Sequence, residues 1–157
     1  ELEQLRWRQR LTGYSTQQHV GKLLVARRDL EQIDDADHLW LLATGTAIGP
    51  FISILRSDLP WQRFSRIILV HGVRTAEELY YREELEAAVD RYIPCLSGET
   101  PLPSGAFSGR VTRFLQTRPA LGACDVYLAG RMAMIHDAIR IVDECFPSAR
   151  VYTEAFF

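Results

Sequence analysis

Cysteine is scarce in this chain and poorly placed for covalent or metal chemistry. Among 157 residues there are three, Cys95, Cys124 and Cys145, and no two stand in C-x-x-C spacing. An odd, scattered set argues against a disulfide framework and fits reduced, mostly buried thiols. The four histidines, His19, His38, His71 and His136, are equally dispersed, so no metal-ligand constellation is visible. No apolar run approaches the length of a membrane span, and no charged leader precedes an apolar signal core. That predicts a cytoplasmic chain with no membrane partner. A net charge of −2 supplies no general attraction to nucleic acid or anionic lipid. Internal repeats are absent. What remains is ordinary for one globular domain, 47% hydrophobic and 24% charged, with enough chain to bury a core.

The most informative stretch runs from Leu39 to Arg56, L-W-L-L-A-T-G-T-A-I-G-P-F-I-S-I-L-R. Its near-continuous apolar start suits a parallel strand buried on both faces, and Pro50 marks a sharp exit into an apolar-periodic helix. Between them lies a turn suited to an anion. Gly45 and Gly49 let the backbone come close to a ligand, the hydroxyls of Thr44 and Thr46 donate, and the helix presents the positive end of its dipole. The spacing is G-x-x-x-G rather than the G-x-G-x-x-G fingerprint, and no P-loop lysine follows. On residue types alone, an ordinary tight turn reads equally well.

Further strands are expected at Arg66–Gly72, Tyr92–Ser97, Asp125–Ala129 and Arg150–Glu154. Helices are expected from Thr75 to about Arg91, from Gly109 to Leu115 and from Met132 to Cys145. Thr75 and Glu78 have capping-box spacing, and Ala76, Leu79, Tyr80, Leu85 and Val89 fall on one stripe. Met134 and Ile135 fit the core of the last helix. The run from Pro101 to Gly109, rich in proline, glycine and serine, reads as a loop. Five strands alternating with helices predict an α/β, Rossmann-like parallel five-stranded sheet with helices on both faces. Ligands of such sheets sit beyond the carboxyl ends of the strands, where Thr44-Gly45-Thr46, His71 to Arg74, Ser97-Gly98-Glu99 and Gly130-Arg131 collect. The strand ends show no Ser/His/Asp set and no paired carboxylates, so acid–base and nucleophilic catalysis have no support. Upstream, Gly13 to Thr16 reads as a turn, Lys22 to Ala26 as a short strand, and Asp29 to Asp37 as a solvated acidic linker.

The stretch 39–56 resembles, nearly residue for residue, the first strand, turn and helix of the NAD(P)-binding domain of bacterial ferredoxin–NADP reductases. The likeness continues in His71-Gly72-Val73-Arg74, which matches the family's H-G-x-R, and in Glu78-Leu79-Tyr80-Tyr81, which matches E-L-x-Y. It covers roughly residues 38–157. It implies an oxidoreductase passing electrons between NAD(P)H, FAD and a ferredoxin-like carrier, with the cofactors carrying the redox chemistry. By this resemblance Gly45 and Thr46 hold the pyrophosphate in a turn with Thr44 and Pro50, Arg74 is a further nucleotide contact, Ser97 and Arg110 hold the adenosine end, and Gly130 leaves room for the nicotinamide; for Arg74 a surface arginine capping a helix reads equally well. Glu154 and Phe156 match the family's closing tail and would face the flavin; a hydrophobic tail closing the core is the plainer reading of the aromatics.

Several positions depart from the pattern. Gly98 replaces the arginine of S-R-E, half of the clamp for an adenosine 2′-phosphate, so NADH and NADPH both stay open. Ala129 replaces the cysteine beside the nicotinamide. Residues 1–37 read as a linker or the remnant of an FAD-binding domain. Tyr14-Ser15 matches only half of the family's R-x-Y-S, with Thr12 where the arginine belongs. The alternative is a non-catalytic pyridine-nucleotide-binding module that lost most of its flavin domain.

Overall fold

Leu39 to Ala43 can be apolar at every position because the strand they form is covered on both faces. In the computed structural model, which describes residues 38–118 and 123–156, this strand is β1 (His38–Thr44). A 3₁₀ turn, Gly45–Ile48, leads from it into α1 (Gly49–Arg56), and α2 (Leu59–Arg63) follows. Then come β2 (Arg66–Val73), α3 (Arg82–Ala88), β3 (Arg91–Leu96), β4 (Phe107–Ser108), α4 (Val111–Gln116), β5 (Cys124–Arg131), α5 (Met132–Cys145) and β6 (Ala149–Phe156). The expected turn, short strand and linker upstream of residue 38 lie outside the described residues.

The sheet is parallel throughout, in the order β4-β3-β2-β1-β5-β6. Side-chain alternation divides its core into two layers. Leu39, Leu41 and Ala43 of β1 pack on one face with Phe51, Ile52 and Leu55 of α1 and Leu85 of α3. Trp40 and Leu42 pack on the other with Phe114 of α4 and Ile135, Ala138 and Val142 of α5. No helix among the described residues is long and apolar enough to cross a membrane.

The doubly covered parallel sheet follows the sequence expectation, with one strand added. β4 is two residues inside the stretch read as a loop, pairing Phe107 with Cys95 and Ser108 with Leu96. Such a short strand exists only because β3 offers an edge. The helix expected from Thr75 to Arg91 is broken. A 3₁₀ turn, Ala76–Glu78, is separated from α3 by Tyr81, which adopts the left-handed conformation at φ 61° and ψ 22°. The capping box does not form, because Thr75 makes no side-chain cap and Glu78 instead accepts the Arg74 N–H at 3.0 Å, one residue too early. Tyr80 leaves the expected stripe and is 54% exposed, while Leu79, Leu85 and Val89 are buried.

At the amino-terminal edge of the sheet, Asp125 is buried on β5. Arg150 Nε donates to its Oδ1 at 2.7 Å, and Arg63 Nη2 lies 3.8 Å from Oδ2. Burial pushes this carboxyl above the ordinary aspartate value, and the two guanidiniums pull it back.

Candidate functional site

From β1 the chain moves to β2, β3 and β4 on one side, then crosses to β5 and β6 on the other. The connections of β1 and β5 therefore diverge, and open parallel sheets bind ligands beyond the carboxyl ends of such a pair. A cleft of about 920 Å³ opens at that point. Its size falls within the range of small-molecule sites.

The floor nearest β1 is the turn Thr44 to Ala47. Gly45 sits at φ +55°, and a Cβ there would meet nothing within 4 Å, so backbone conformation rather than space calls for glycine. Beneath it lies His71 of β2, fully buried, with Nε2 3.1 Å from the Gly45 carbonyl and Nδ1 3.0 Å from the Tyr92 hydroxyl. A carbonyl only accepts, so Nε2 carries the proton, and the neutral ring receives the Tyr92 O–H at Nδ1. Burial lowers the histidine pKa from its ordinary 6.5, with the bond to Gly45 pulling the other way.

Below pH 6.5 the unfolded chain takes up a proton that the folded chain refuses, so stability is full above that pH and declines as pH falls through it. Urea midpoints measured from pH 7.5 to 5 should show this slope in the native chain and lose it in His71→Gln.

Arg74, Ser97 and Arg110 line the end of the cleft formed by β2, β3 and α4. The Ser97 hydroxyl donates to the Val73 carbonyl at 3.4 Å. A Cβ on Gly98 would stand 2.6 Å from Arg74 Cγ, so the arginine side chain lies across the glycine. Arg131, at the end of β5, adds a further guanidinium, and Glu78 and Asp137 are the acidic groups of the lining. Cys95 lies deeper, its thiol pushed up to about 12 by burial and therefore protonated. Gly72 has no room for a side chain, since a Cβ would come within 2.6 Å of Val111 Cγ1.

At the β5 end, Gly130 has φ +156°. The space over it is taken by the Thr44 hydroxyl and by the Met134 methyl, 2.6 Å from where a Cβ would be. Any side chain at position 130 would clash there, so glycine is required, and Met134 both packs against the core, as expected, and lines the cleft. Ile135 is in the core as expected.

Thr44, Gly45, Thr46, Arg74, Ser97, Arg110 and Gly130 meet in this one cleft; Pro50 and Glu154 do not line it. Pro50 is buried in the first turn of α1. Glu154 and Phe156 lie on β6 in register with Ala129 and Arg131. Glu154 is half-buried near Tyr127, whose phenol is pushed up to about 12 by burial first and by that carboxylate second. Sequence reading assigned no ligand role to His71, Thr112, Arg131, Met134 or Asp137. The i, i+3 spacing of Met134 and Asp137 at the start of α5 was the available signal for those two.

A family model described as "Oxidoreductase NAD-binding domain" matches residues 41–140. The flavodoxin/ferredoxin–NADP reductase of Shigella flexneri is 32% identical over 121 residues, covering 69% of this chain and 49% of that protein. The corresponding protein of Escherichia coli is 34% identical over 92 residues, covering 56% of this chain and 37% of that one. The chain thus spans about half the length of these relatives or less. A cytochrome P450 reductase from Amycolatopsis superposes with a TM-score of 0.63 at 27% identity, over 78% of this chain and 38% of that one. A ferredoxin NADP+ reductase from Neisseria gonorrhoeae, solved with bound FAD and NADP, gives 0.61 at 23% identity over 79% of this chain and 58% of that one, a likeness of fold. With its cleft at the switch point of a parallel sheet and most of its length matched by one family model, the chain belongs to the oxidoreductase NAD-binding domain family and is related to bacterial flavodoxin/ferredoxin–NADP reductases.

Proposed function

We propose that the cleft binds NADPH or NADH, and that the chain serves as the nucleotide-binding part of a ferredoxin–NAD(P) reductase-like flavoprotein. The observation that carries this reading is the left-handed turn at Gly45, set at the switch point and flanked by Arg74, Arg110 and Arg131. An open glycine turn beside guanidiniums suits a pyrophosphate. Thr44, Gly45 and Thr46 hold it, while Arg74, Ser97 and Arg110 hold the adenosine end. Arg74 lies across Gly98, where the arginine of the family's S-R-E is missing, so with Arg110 a pair of guanidiniums still faces a 2′-phosphate. Glu154 and Phe156 belong to the flavin side, a reading supported by their register with Ala129 and Arg131 at this edge of the sheet.

When bound, NAD(P)H would supply a hydride, and FAD would accept it and hand on single electrons to a ferredoxin-like acceptor. The chain itself orients the nucleotide and screens its charge. A second reading, a binding module without redox activity of its own, is favoured by Ala129, which stands where the family has the cysteine beside the nicotinamide.

The visible spectrum of the purified protein, recorded before and after adding FAD and desalting, separates the two. A retained flavin band bleached by NADPH or NADH is the expected result for the enzyme. A colourless protein that binds either nucleotide by calorimetry supports the module, and absence of nucleotide binding overturns both.

A further inference from the structure

Buried His71 and half-buried Tyr92 touch no ligand position directly, yet His71 is bonded to the carbonyl of Gly45 in the anion turn. Gly45 is the most conformationally free residue of that turn, and at φ +55° its neighbouring peptide could rotate at little steric cost. In a trans peptide the C=O and the following N–H point in opposite directions. Fixing the Gly45 carbonyl on His71 beneath the turn therefore aims the Thr46 N–H away from the protein interior, on the side of the cleft that Thr46 lines. The reversed peptide would present a carbonyl oxygen to the anion, where it repels.

His71 does this as a donor only while Nε2 holds its proton. The Tyr92 hydroxyl, 3.0 Å from Nδ1, selects that tautomer by supplying a donor to the other nitrogen. His71 stands beside Ala43 in register, and so reaches the turn from the neighbouring strand without crossing a bulky side chain.

We propose that His71 is a positioning residue that holds the Gly45–Thr46 peptide in its anion-binding orientation, with Tyr92 fixing the tautomer that lets it do so. The inference rests on the nucleotide reading of the cleft. It places the control of pyrophosphate affinity in a bond that faces away from the ligand, by removing the cost of ordering a flexible turn during binding.

The test is calorimetric titration of the whole chain and of His71→Phe, His71→Gln and Tyr92→Phe with NADPH and NADH. Each is also titrated with the matching fragment that lacks pyrophosphate, 2′-AMP for NADPH and adenosine for NADH. His71→Phe should weaken the dinucleotide at least about tenfold, the worth of one buried bond to the turn, and the fragment less than about twofold. His71→Gln, whose amide nitrogen reaches the same carbonyl, should recover most of the loss. Tyr92→Phe should weaken the dinucleotide about threefold and convert the histidine ¹⁵N pattern from one tautomer to a mixture.

Equal weakening of dinucleotide and fragment would reduce His71 to a structural role and overturn the inference, as would unchanged dinucleotide affinity. If His71→Phe does not fold, Tyr92→Phe decides, since it removes one hydroxyl; an unaltered tautomer with unaltered affinity overturns the inference. A native chain that binds neither nucleotide overturns the nucleotide reading itself, and this inference with it.

Discussion

Thr46→Trp should weaken NADPH and NADH binding by at least about a hundredfold, equivalent to about 2.8 kcal/mol, while the folded chain survives. Thr46 is exposed and lines the cleft at the turn that follows β1. An indole there occupies the volume assigned to the pyrophosphate, and the turn has nowhere to retreat, because Ala47 and Ile48 behind it are buried. Thr46→Ala separates volume from chemistry. It removes only a hydroxyl and should cost about fivefold, the usual worth of one hydrogen bond. Calorimetry on both variants, with thermal unfolding as the check on folding, measures the pair of effects. Native-like affinity in Thr46→Trp would take the turn out of the nucleotide site.

Asp125→Ala should cost about 3 kcal/mol of stability without altering the cleft. The carboxylate is 2% exposed, bonded to Arg150 at 2.7 Å and close to Arg63. Taking two charges out of water is expensive, so the intact pair adds little, and burial has already pushed the carboxyl upward. Removing one partner is another matter. It leaves the Arg150 guanidinium, whose side chain is 21% exposed, held at the edge of an apolar layer without its counter-charge. For a domain of this size the melting temperature should fall by about 6 to 12 °C. Asp125→Asn, which keeps the shape and an acceptor oxygen, should fall less. Because Asp125 lies near the amino end of β5 and the cleft at the other end, nucleotide affinity measured well below the melting temperature should match the native value. A change in affinity would mean that the sheet transmits strain along its strands.

The two predictions act at opposite ends of one sheet, and the sequence made those ends unequally readable. The ligand edge was legible because its requirements are local. A near-continuous apolar run, a glycine turn and a proline at the next helix start all fall within eighteen consecutive letters, and the helix Met132–Cys145 shows its own period and matches residue for residue. The parts that escaped depend on distant neighbours. Tyr81 in the left-handed region breaks an otherwise plausible helix, and no letter near it announces this. Glu78 had a capping partner by spacing but found the Arg74 N–H instead. β4 is a strand only through its pairing with β3. His71 read as one member of a strand-end motif, whereas its bonds to Gly45 and Tyr92 join residues 26 and 21 positions away. Met134 packs against the core layer of its neighbour Ile135, as its period implied, but it also leans across Gly130 into the cleft at the helix start, which no period shows.

The central place of β1 also governs the order in which the chain can be assembled at the ribosome. Its left neighbour, β2, follows within a short distance, but its right neighbour, β5, is synthesised only after β3, β4 and α4 have all emerged. Until then an apolar strand offers a full row of unpaired backbone groups along one side, the arrangement most inviting to another chain. Conditions that slow translation between β2 and β5 should therefore lower the soluble yield of this protein more than equal delays placed after β5, because the vulnerable interval ends when β1 gains its second neighbour.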